Sequence, residues 1–256
     1  MAARRWQPWR WQWRKRWGRN LTLLALAFLL APALPVVLLR FIDPLTSSVM
    51  LGTRFGALAR ADFAYRNAYE WVALEQISPH AAVAVIAAED QQFPFHVGFD
   101  FKSIREAVRH NARSKRVRGA STISQQVAKN LFLWQGRSWF RKGLEAWFTI
   151  LIEVIWPKER ILEVYLNIAE LGPATYGVEA AAARYLRKPA ARLTRREAAL
   201  FAAVLPNPRL MRINAPSPYV QRRRDKILGQ MRALGGRSSL NQLNDDTEPQ
   251  QRPRRR

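Results

Sequence analysis

Two adjacent carboxylates, Glu89 and Asp90, follow the apolar stretch His80 to Ala88 and could take part in chemistry. Ser78 and Pro79 suit a helix start, so the stretch is predicted to be a buried helix. Neighbouring helical residues point about 100° apart, so one acid can face a cleft while the other faces the protein. Desolvation at the end of an apolar helix raises a carboxyl pKa, which suits acid–base work. A solvated helix end is the alternative, since most carboxylate pairs are not catalytic.

A second stretch, Gly119 to Asn130, concentrates polar side chains on one short predicted helix. It contains Ser121, Thr122, Ser124, Gln125, Gln126, Lys129 and Asn130. Ser121 or Thr122 can cap this helix, which is predicted to reach about Leu133. Gln126 and Lys129 share a face because they are three residues apart. Sugars or phosphates would satisfy so many polar groups, whereas a merely solvated helix is the alternative.

A third patch, R-K-G-L-E from Arg141 to Glu145, places an arginine and a carboxylate on one helix face. This could be an ordinary surface salt bridge, which contributes about 0.3–0.5 kcal/mol. Alternatively, Arg141 and Lys129 bind an anionic substrate group and Glu145 is a second functional carboxylate. Glu153 is interpreted as structural. His96 could be an acid or base, or could hold local structure, and the three histidines lack metal-ligand spacing.

The elements that must position these residues are predicted to be almost all helices, which makes the domain mainly α. Beyond the first two helices, the predicted ranges are Phe101–Arg113 after Asp100, Trp139–Trp156 after Ser138, Lys158–Leu171, Tyr176–Leu186, a helix from the Thr194 capping box to before Pro206, and Tyr219–Leu234. Residues 43–77 are interpreted as a linker and approach segment. Within them, Phe63 to Leu74 fits either a strand or a short helix.

Composition favours an anionic partner. The 256 residues include 42 Lys and Arg against 19 Asp and Glu, a net charge of +23. Such a charge indicates nucleic acid or an anionic membrane surface. Hydrophobic residues make up 48% of the chain, enough for a sizeable core, and the absence of cysteine excludes disulfides and thiolate metal sites.

The location of the charge favours a membrane. Residues 1–20 carry seven basic residues and five tryptophans, and the 19 residues Leu21 to Leu39 carry no charge. This predicts a spanning anchor with the N-terminus inside and everything after residue 40 outside. A cleaved signal peptide, or an arm that binds nucleic acid, are the alternatives. The predicted organisation is a basic arm (1–20), an anchor (21–42), a catalytic domain (43–234) and a disordered basic tail (235–256).

Four motifs in this order carry a resemblance to a known family. E-D-x-x-F-x-x-H-x-G-x-D begins at Glu89, G-x-S-T-x-x-Q-Q-x-x-K-N at Gly119, R-K-x-x-E at Arg141 and K-x-x-I-L-E-x-Y-L-N at Lys158. The chain resembles the peptidoglycan glycosyltransferases (transglycosylases), family 51 of glycosyltransferases, and among them the monofunctional membrane-anchored form. The resemblance covers roughly residues 60 to 230. Ser124 and Thr149 stand where the family more often has Thr and Ala.

The resemblance implies a lysozyme-like, two-lobed α-helical fold and lipid II as substrate. Glu89 is then the general base on the acceptor 4-hydroxyl, and attack with inversion gives a β-1,4 bond. Glu145 is a second catalytic residue, which with Lys129 and Arg141 holds the departing pyrophosphate. The implied substrate-binding residues are Asp90, Phe93, His96, Ser121, Thr122, Gln125, Gln126, Lys129, Asn130, Arg141 and Lys142.

No cofactor is required on this interpretation, although Glu145 could bind Mg²⁺ or Mn²⁺. The expected partners are lipid II, the growing glycan chain, the membrane and other cell-wall synthesis proteins, but not nucleic acid. The expected location is the bacterial inner membrane, with the catalytic domain on the periplasmic side. No transpeptidase motif set is present, so we expect no peptide cross-linking. A lytic or hydrolytic enzyme of the same fold, or a non-enzymatic basic membrane protein, are the alternatives.

Overall fold

The computed structural model of the chain describes residues 19–20, 30–114, 119–136 and 138–243. Nearly all of the predicted basic arm, much of the predicted anchor and most of the predicted tail lie outside the described residues. Residues 1–42 and 43–256 form separate compact units. In the first unit, helix α1 spans Ala33–Phe41. Among the described residues, no helix has both the length and the apolar character needed to cross a membrane.

The second unit is mainly helical, which confirms the predicted class. Its described α-helices are Ser48–Leu58 (α2), Pro79–Glu89 (α3), Phe101–Arg113 (α4), Ile123–Phe132 (α5), Trp139–Ile155 (α6), Lys158–Ile168 (α7), Val178–Leu186 (α8), Arg195–Val204 (α9) and Pro218–Ala233 (α10). Short 3-10 helices span Leu74–Gln76, Phe93–Phe95, Ala190–Arg192 and Gly236–Leu243. The last of these shows that the disorder predicted for the tail is wrong for residues 236–243.

Most helix starts follow the local sequence signals. Asp100 accepts a bond from the Ser103 backbone N–H at 2.9 Å, and Ser138 accepts one from that of Arg141 at 3.1 Å. Thr122 rather than Ser121 caps α5, in a capping box with Gln125. Such caps satisfy backbone donors that have no partner in the first turn. Ser78 differs from the prediction, because its hydroxyl donates to the Leu193 carbonyl at 2.8 Å instead of capping α3.

The core lies around α3, whose residues 81–87 are all buried. Helix α3 packs against α9 and α10, while α5 packs against α6 and α7. The second group includes a stacked pair, Phe132 and Phe148, with ring centroids 4.5 Å apart. Small alanine side chains on α3 and α9 let these helices lie close together, so the apolar surfaces are removed from water. As a result, the C-terminal end of α3 lies beside the N-terminal end of α5.

A small sheet replaces two predicted helix ends. Helix α7 ends at Ile168 rather than Leu171, and α8 begins at Val178 rather than Tyr176. Between them, Glu170–Gly172 (β2) and Thr175–Tyr176 (β3) pair antiparallel, and Ala68–Tyr69 (β1) pairs parallel with β3. Gly177 permits the following turn, since it has φ +82° and an added Cβ would lie 2.4 Å from the Asn167 carbonyl oxygen.

The segment interpreted as a linker, 43–77, is part of the folded unit. It contains α2 and β1, which settles the Phe63–Leu74 ambiguity in favour of a short strand at residues 68–69. Asn167 accepts a bond from the Val72 N–H at 3.0 Å and donates to the Val72 carbonyl at 2.9 Å. The Glu163 carboxylate accepts a bond from the Leu74 N–H at 3.0 Å. Through these bonds, Glu163 and Asn167 hold this segment against α7.

Candidate active site

Glu89 is the last residue of α3, and its carboxylate is held from two sides. Its Oε2 accepts a bond from Gln126 Nε2 at 3.1 Å, and Gln126 Oε1 in turn accepts one from the Tyr165 hydroxyl at 3.1 Å. On the other side, Arg223 Nη2 lies 3.5 Å from Glu89 Oε1. The Glu89 side chain is only 17% exposed. The carboxylate is therefore oriented, partly desolvated and still open to solvent on one side.

Burial shifts the protonation behaviour of this carboxyl. Desolvation raises the pKa of Glu89, and the bond from Gln126 and the charge of Arg223 oppose this rise. Burial also raises the pKa of Tyr165 well above its ordinary value, and the charge of Glu89 adds to the shift. Tyr165 thus keeps its proton and donates a hydrogen bond to Gln126 Oε1, which fixes the orientation of the Gln126 amide. A carboxylate with a raised pKa is a stronger base than a solvated one.

Asp90 has other bonding partners than Glu89 and joins three segments. It is buried, and its Oδ2 accepts bonds from His96 Nε2 at 2.8 Å and from the Ile123 backbone N–H at 3.0 Å. The carboxylate lies at the N-terminus of α5, where the helix dipole also favours negative charge. Both bonds favour a positioning role for Asp90 and His96 over direct contact with a substrate.

The loop after Asp90 is fastened by a half-buried cation, Lys158. Lys158 Nζ donates to the His96 carbonyl at 2.6 Å and pairs with the Glu153 carboxylate at 2.8 Å. It also lies 4.7 Å from the ring centroid of Phe93, which is fully buried. Ser124 donates a further bond to Glu153. These contacts agree with the structural interpretation of Glu153, and the burial of Phe93 favours packing over substrate contact.

Gly98 brings the same loop against α5 and α6. Its carbonyl accepts a bond from the Thr122 hydroxyl at 2.7 Å. Its φ is +79°, and an added Cβ would lie 2.8 Å from Thr149 Cγ2, so glycine is needed here on both counts. Thr122 and Gln125 are buried and engaged in the capping box, whereas Ser121 is exposed. Of this polar stretch, only some residues are thus available to a ligand.

Three cations surround the second carboxylate. Glu145 is 3% exposed and accepts bonds from Arg141 Nη1 at 3.3 Å and from Lys142 Nζ. Burial lowers the pKa of the nearby Lys129; the charge of Glu145 opposes this, while Arg141 and Lys142 add to it. Among the described residues, Arg141 Nε is buried without a hydrogen-bond partner. The cluster carries more positive than negative charge and one unused strong donor.

A cavity of about 260 Å³ opens beside this cluster. It is lined by Val49, Lys129, Asn130, Leu133, Trp134, Gln135, Gly136, Arg141, Ile168, Glu170 and Tyr176. Lys129 and Arg141 make one part of its wall cationic, and buried cations bind anions such as phosphates. In the described part of the chain, no group of three His, Cys, Asp or Glu residues could hold a metal ion. Divalent metal binding therefore stays a prediction.

The structure brings some of the residues predicted from the sequence together at two places. Glu89 and Gln126 meet at one place, and Lys129, Asn130, Arg141 and Glu145 meet at or beside the cavity. Sequence reasoning missed Arg223, which contacts Glu89 across 134 residues, and Trp134, Glu170 and Tyr176 in the cavity wall. No local pattern marks these residues, because their role depends on contacts far apart in the chain.

Comparisons with known proteins point in one direction. The family described as "Transglycosylase" matches residues 57–232. A biosynthetic peptidoglycan transglycosylase of Xylella fastidiosa is 51% identical over 88% of this chain and 92% of its own length. One of Xanthomonas axonopodis pv. citri is 52% identical over the same shares. Another, of Pectobacterium carotovorum, is 55% identical over 82% of this chain and 87% of its own.

Proposed function

The chain belongs to the transglycosylase family, and from this premise we propose that it polymerises lipid II into the linear glycan strands of peptidoglycan. The observation that carries the proposal is a pairing of sites. The half-buried carboxylate of Glu89, the proposed base, is bonded to Gln126, and Lys129, one helical turn further along α5, lines a cationic cavity. Helix α5 thus connects the base, through Gln126, with the anion site, through Lys129, an arrangement that suits transfer from a pyrophosphate donor.

The base removes the proton that the acceptor must lose. Glu89 Oε1 or Oε2 takes the proton of the acceptor sugar 4-hydroxyl as that oxygen attacks the anomeric carbon of the growing chain. The bond from the anomeric carbon to the pyrophosphate oxygen breaks, and inversion turns the α linkage into a β-1,4 bond. Gln126, held by Tyr165, keeps the carboxylate oriented for this step.

The cavity receives the leaving group. Undecaprenyl pyrophosphate departs with negative charge, which Lys129 and Arg141 stabilise from fixed positions. Arg141 Nε, buried without a partner among the described residues, supplies a donor for a phosphate oxygen. Glu145 acts by holding Arg141 and Lys142 in place. An unpaired carboxylate here would repel the pyrophosphate, so Glu145 acts through these two cations rather than by direct contact.

The architecture and location follow the same proposal. The two packed groups of helices, α3 with α9 and α10 and α5 with α6 and α7, support a lysozyme-like arrangement of two lobes. Leu21 to Leu39 form the anchor that keeps the enzyme at the inner membrane, where its lipid-linked substrate resides. We further propose the growing glycan chain and other cell-wall synthesis proteins as partners, with no cofactor required.

The test uses full-length protein in detergent with labelled lipid II, comparing wild type with Glu89→Gln. We expect lysozyme-digestible polymer from wild type and none from the variant. Glu106→Gln, an exposed acid on α4, is the matched control and should retain activity. Polymer from Glu89→Gln would keep the reaction but remove Glu89 as the base. Cleavage of added glycan without synthesis would replace the proposal with a lytic enzyme.

A further inference from the structure

Arg223 lies outside the four sequence motifs yet contacts the proposed base. It belongs to α10, which packs against α3 and α9. Its Nη2 lies 3.5 Å from Glu89 Oε1, and its side chain is 27% exposed. Its Nε is buried and has no hydrogen-bond partner in the described part of the chain. Arg223 thus directs a guanidinium at Glu89 and retains a second donor beside the first.

The neighbouring arginines show that this contact is specific. Arg222 is exposed, and Arg224 pairs with Asp225 at 2.8 Å. Only the middle residue of the R-R-R run reaches the end of α3. Because consecutive helical residues point about 100° apart, the helix can present one of the three to Glu89 while the others serve elsewhere.

The groups that face Glu89 come from several elements. Gln126 of α5 donates to Oε2, and Arg223 of α10 approaches Oε1. Asp90 repels the charge of Glu89 electrostatically, Lys129 attracts it, and Tyr165 lies behind Gln126. Arg223 is the only cation among the described residues that pairs directly with the carboxylate of Glu89.

A guanidinium suits this task better than an ammonium. It stays charged throughout the working pH range, and its Nε and Nη2 form a planar fork that matches a carboxylate. A buried carboxylate loses its proton less readily, and a nearby cation counteracts this. With one fork nitrogen at 3.5 Å and the other unpaired, a small movement of Glu89 would complete a two-point contact.

On the basis of the proposed function, we propose that Arg223 is a positioning residue that keeps Glu89 ionised and aims its carboxylate at the acceptor hydroxyl. It acts through Glu89 and touches neither sugar nor pyrophosphate. In its absence Glu89 should remain a competent base, but only at higher pH. The proposal therefore separates a residue that tunes the base from one that binds substrate.

The experiment measures initial polymerisation rates from lipid II against pH for wild type, Arg223→Gln, Arg223→Lys and the control Arg222→Gln. We expect Arg223→Gln to move the acid limb of the kcat/KM profile toward higher pH, by about half a pH unit to one pH unit. Activity should recover at alkaline pH while KM changes little. Arg223→Lys should restore most of the wild-type limb, and Arg222→Gln should match wild type throughout.

Other outcomes overturn the inference. Arg223 would be merely structural if the acid limb of the kcat/KM profile of Arg223→Gln coincided with that of wild type. The same would hold if both Arg223 variants lost the same share of kcat/KM at every pH. Arg223→Met, which keeps the aliphatic stem, replaces the Gln variant if that variant melts early. Glu89→Gln measured alongside distinguishes the two failures, because activity in that variant contradicts the proposed base itself rather than the role of Arg223.

Discussion

At the scale of single residues, Glu89 and Asp90 are adjacent in sequence but differ in surroundings. Glu89 meets amide and guanidinium donors and keeps some exposure, whereas Asp90 is buried and binds a histidine and a backbone N–H. The first arrangement leaves a carboxylate free to take a proton, and the second uses one to hold segments together. The same separation recurs between Lys129, which faces the cavity, and Lys158, which is occupied by Glu153.

Lys129 should limit activity at alkaline pH. Burial lowers its pKa, so its charge is fully present well below that pKa and is lost as pH rises through it. We expect KM for lipid II to rise at a pH below the ordinary lysine pKa of about 10.4. Lys129→Arg, which stays charged, should move this rise to higher pH. Coinciding KM profiles for the two proteins would show that the charge of Lys129 does not bind substrate.

Glu145 and Arg141 should behave as one unit. If Glu145 acts by holding Arg141, Glu145→Gln and Arg141→Lys remove the same contact, made at 3.3 Å. We expect the losses in kcat/KM to be clearly less than additive in the double variant. A double-mutant cycle on initial polymerisation rates measures this coupling. Additive losses would instead assign Glu145 a direct role of its own.

At the scale of elements, one loop joins three helices. The segment from Asp90 to Asp100 follows α3, is bonded to the start of α5 through Asp90, and precedes α4. Lys158, at the start of α7, holds the same loop by its His96 carbonyl. The end of α3, which carries Glu89, is therefore fixed relative to α5, which carries Gln126 and Lys129. Geometry at the site depends on these bonds between elements.

Asp90→Ala should test this dependence. The change removes the acceptor of two bonds and leaves the buried Ile123 N–H without it, so we expect a loss of about 3 kcal/mol in the free energy of unfolding. Polymerisation should also fall, because the loop is released. Urea unfolding followed by circular dichroism provides the measurement. Glu106→Ala, on the exposed face of α4, should change stability by no more than about 0.5 kcal/mol.

At the scale of the whole molecule, the proposed membrane location would depend on charge and apolar sequence together. The net charge of +23 would attract anionic lipid surfaces, an interaction that salt weakens. The uncharged run Leu21 to Leu39 would add an apolar contribution that salt does not weaken. The two contributions can therefore be distinguished by whether salt or only detergent releases the protein from a membrane.

We expect full-length protein to stay in bacterial membranes through washes with concentrated salt and alkaline carbonate. Detergent should release it, as for a spanning anchor. The double variant Leu26→Arg with Leu29→Arg places two charges in the apolar run, which costs about 2.5–3.5 kcal/mol each at the centre of a bilayer, and should be released by salt. Quantitative blotting of each wash decides the matter. Release of wild type by salt alone would contradict the anchor.

The sequence by itself determined the features that depend on neighbouring residues. Caps at Asp100, Thr122, Ser138, Thr194 and Ser217, and the apolar run of α3, specify helices because their interactions span only a few residues. The four motifs likewise identified Glu89, Gln126, Lys129 and Arg141 as a possible site. Strands β2 and β3 escaped prediction and β1 was left open between strand and helix, because two or three residues show no alternation.

Only the tertiary structure decided which residues meet. Asp90 reaches the start of α5 across 33 residues, and Arg223 reaches Glu89 across 134. Such contacts depend on how helices pack, and packing depends on the shapes of many side chains at once rather than on any local pattern. The sequence thus showed which side chains could do chemistry, whereas packing decided that Glu89 keeps an accessible carboxylate, as a candidate base, and that Asp90 links two segments.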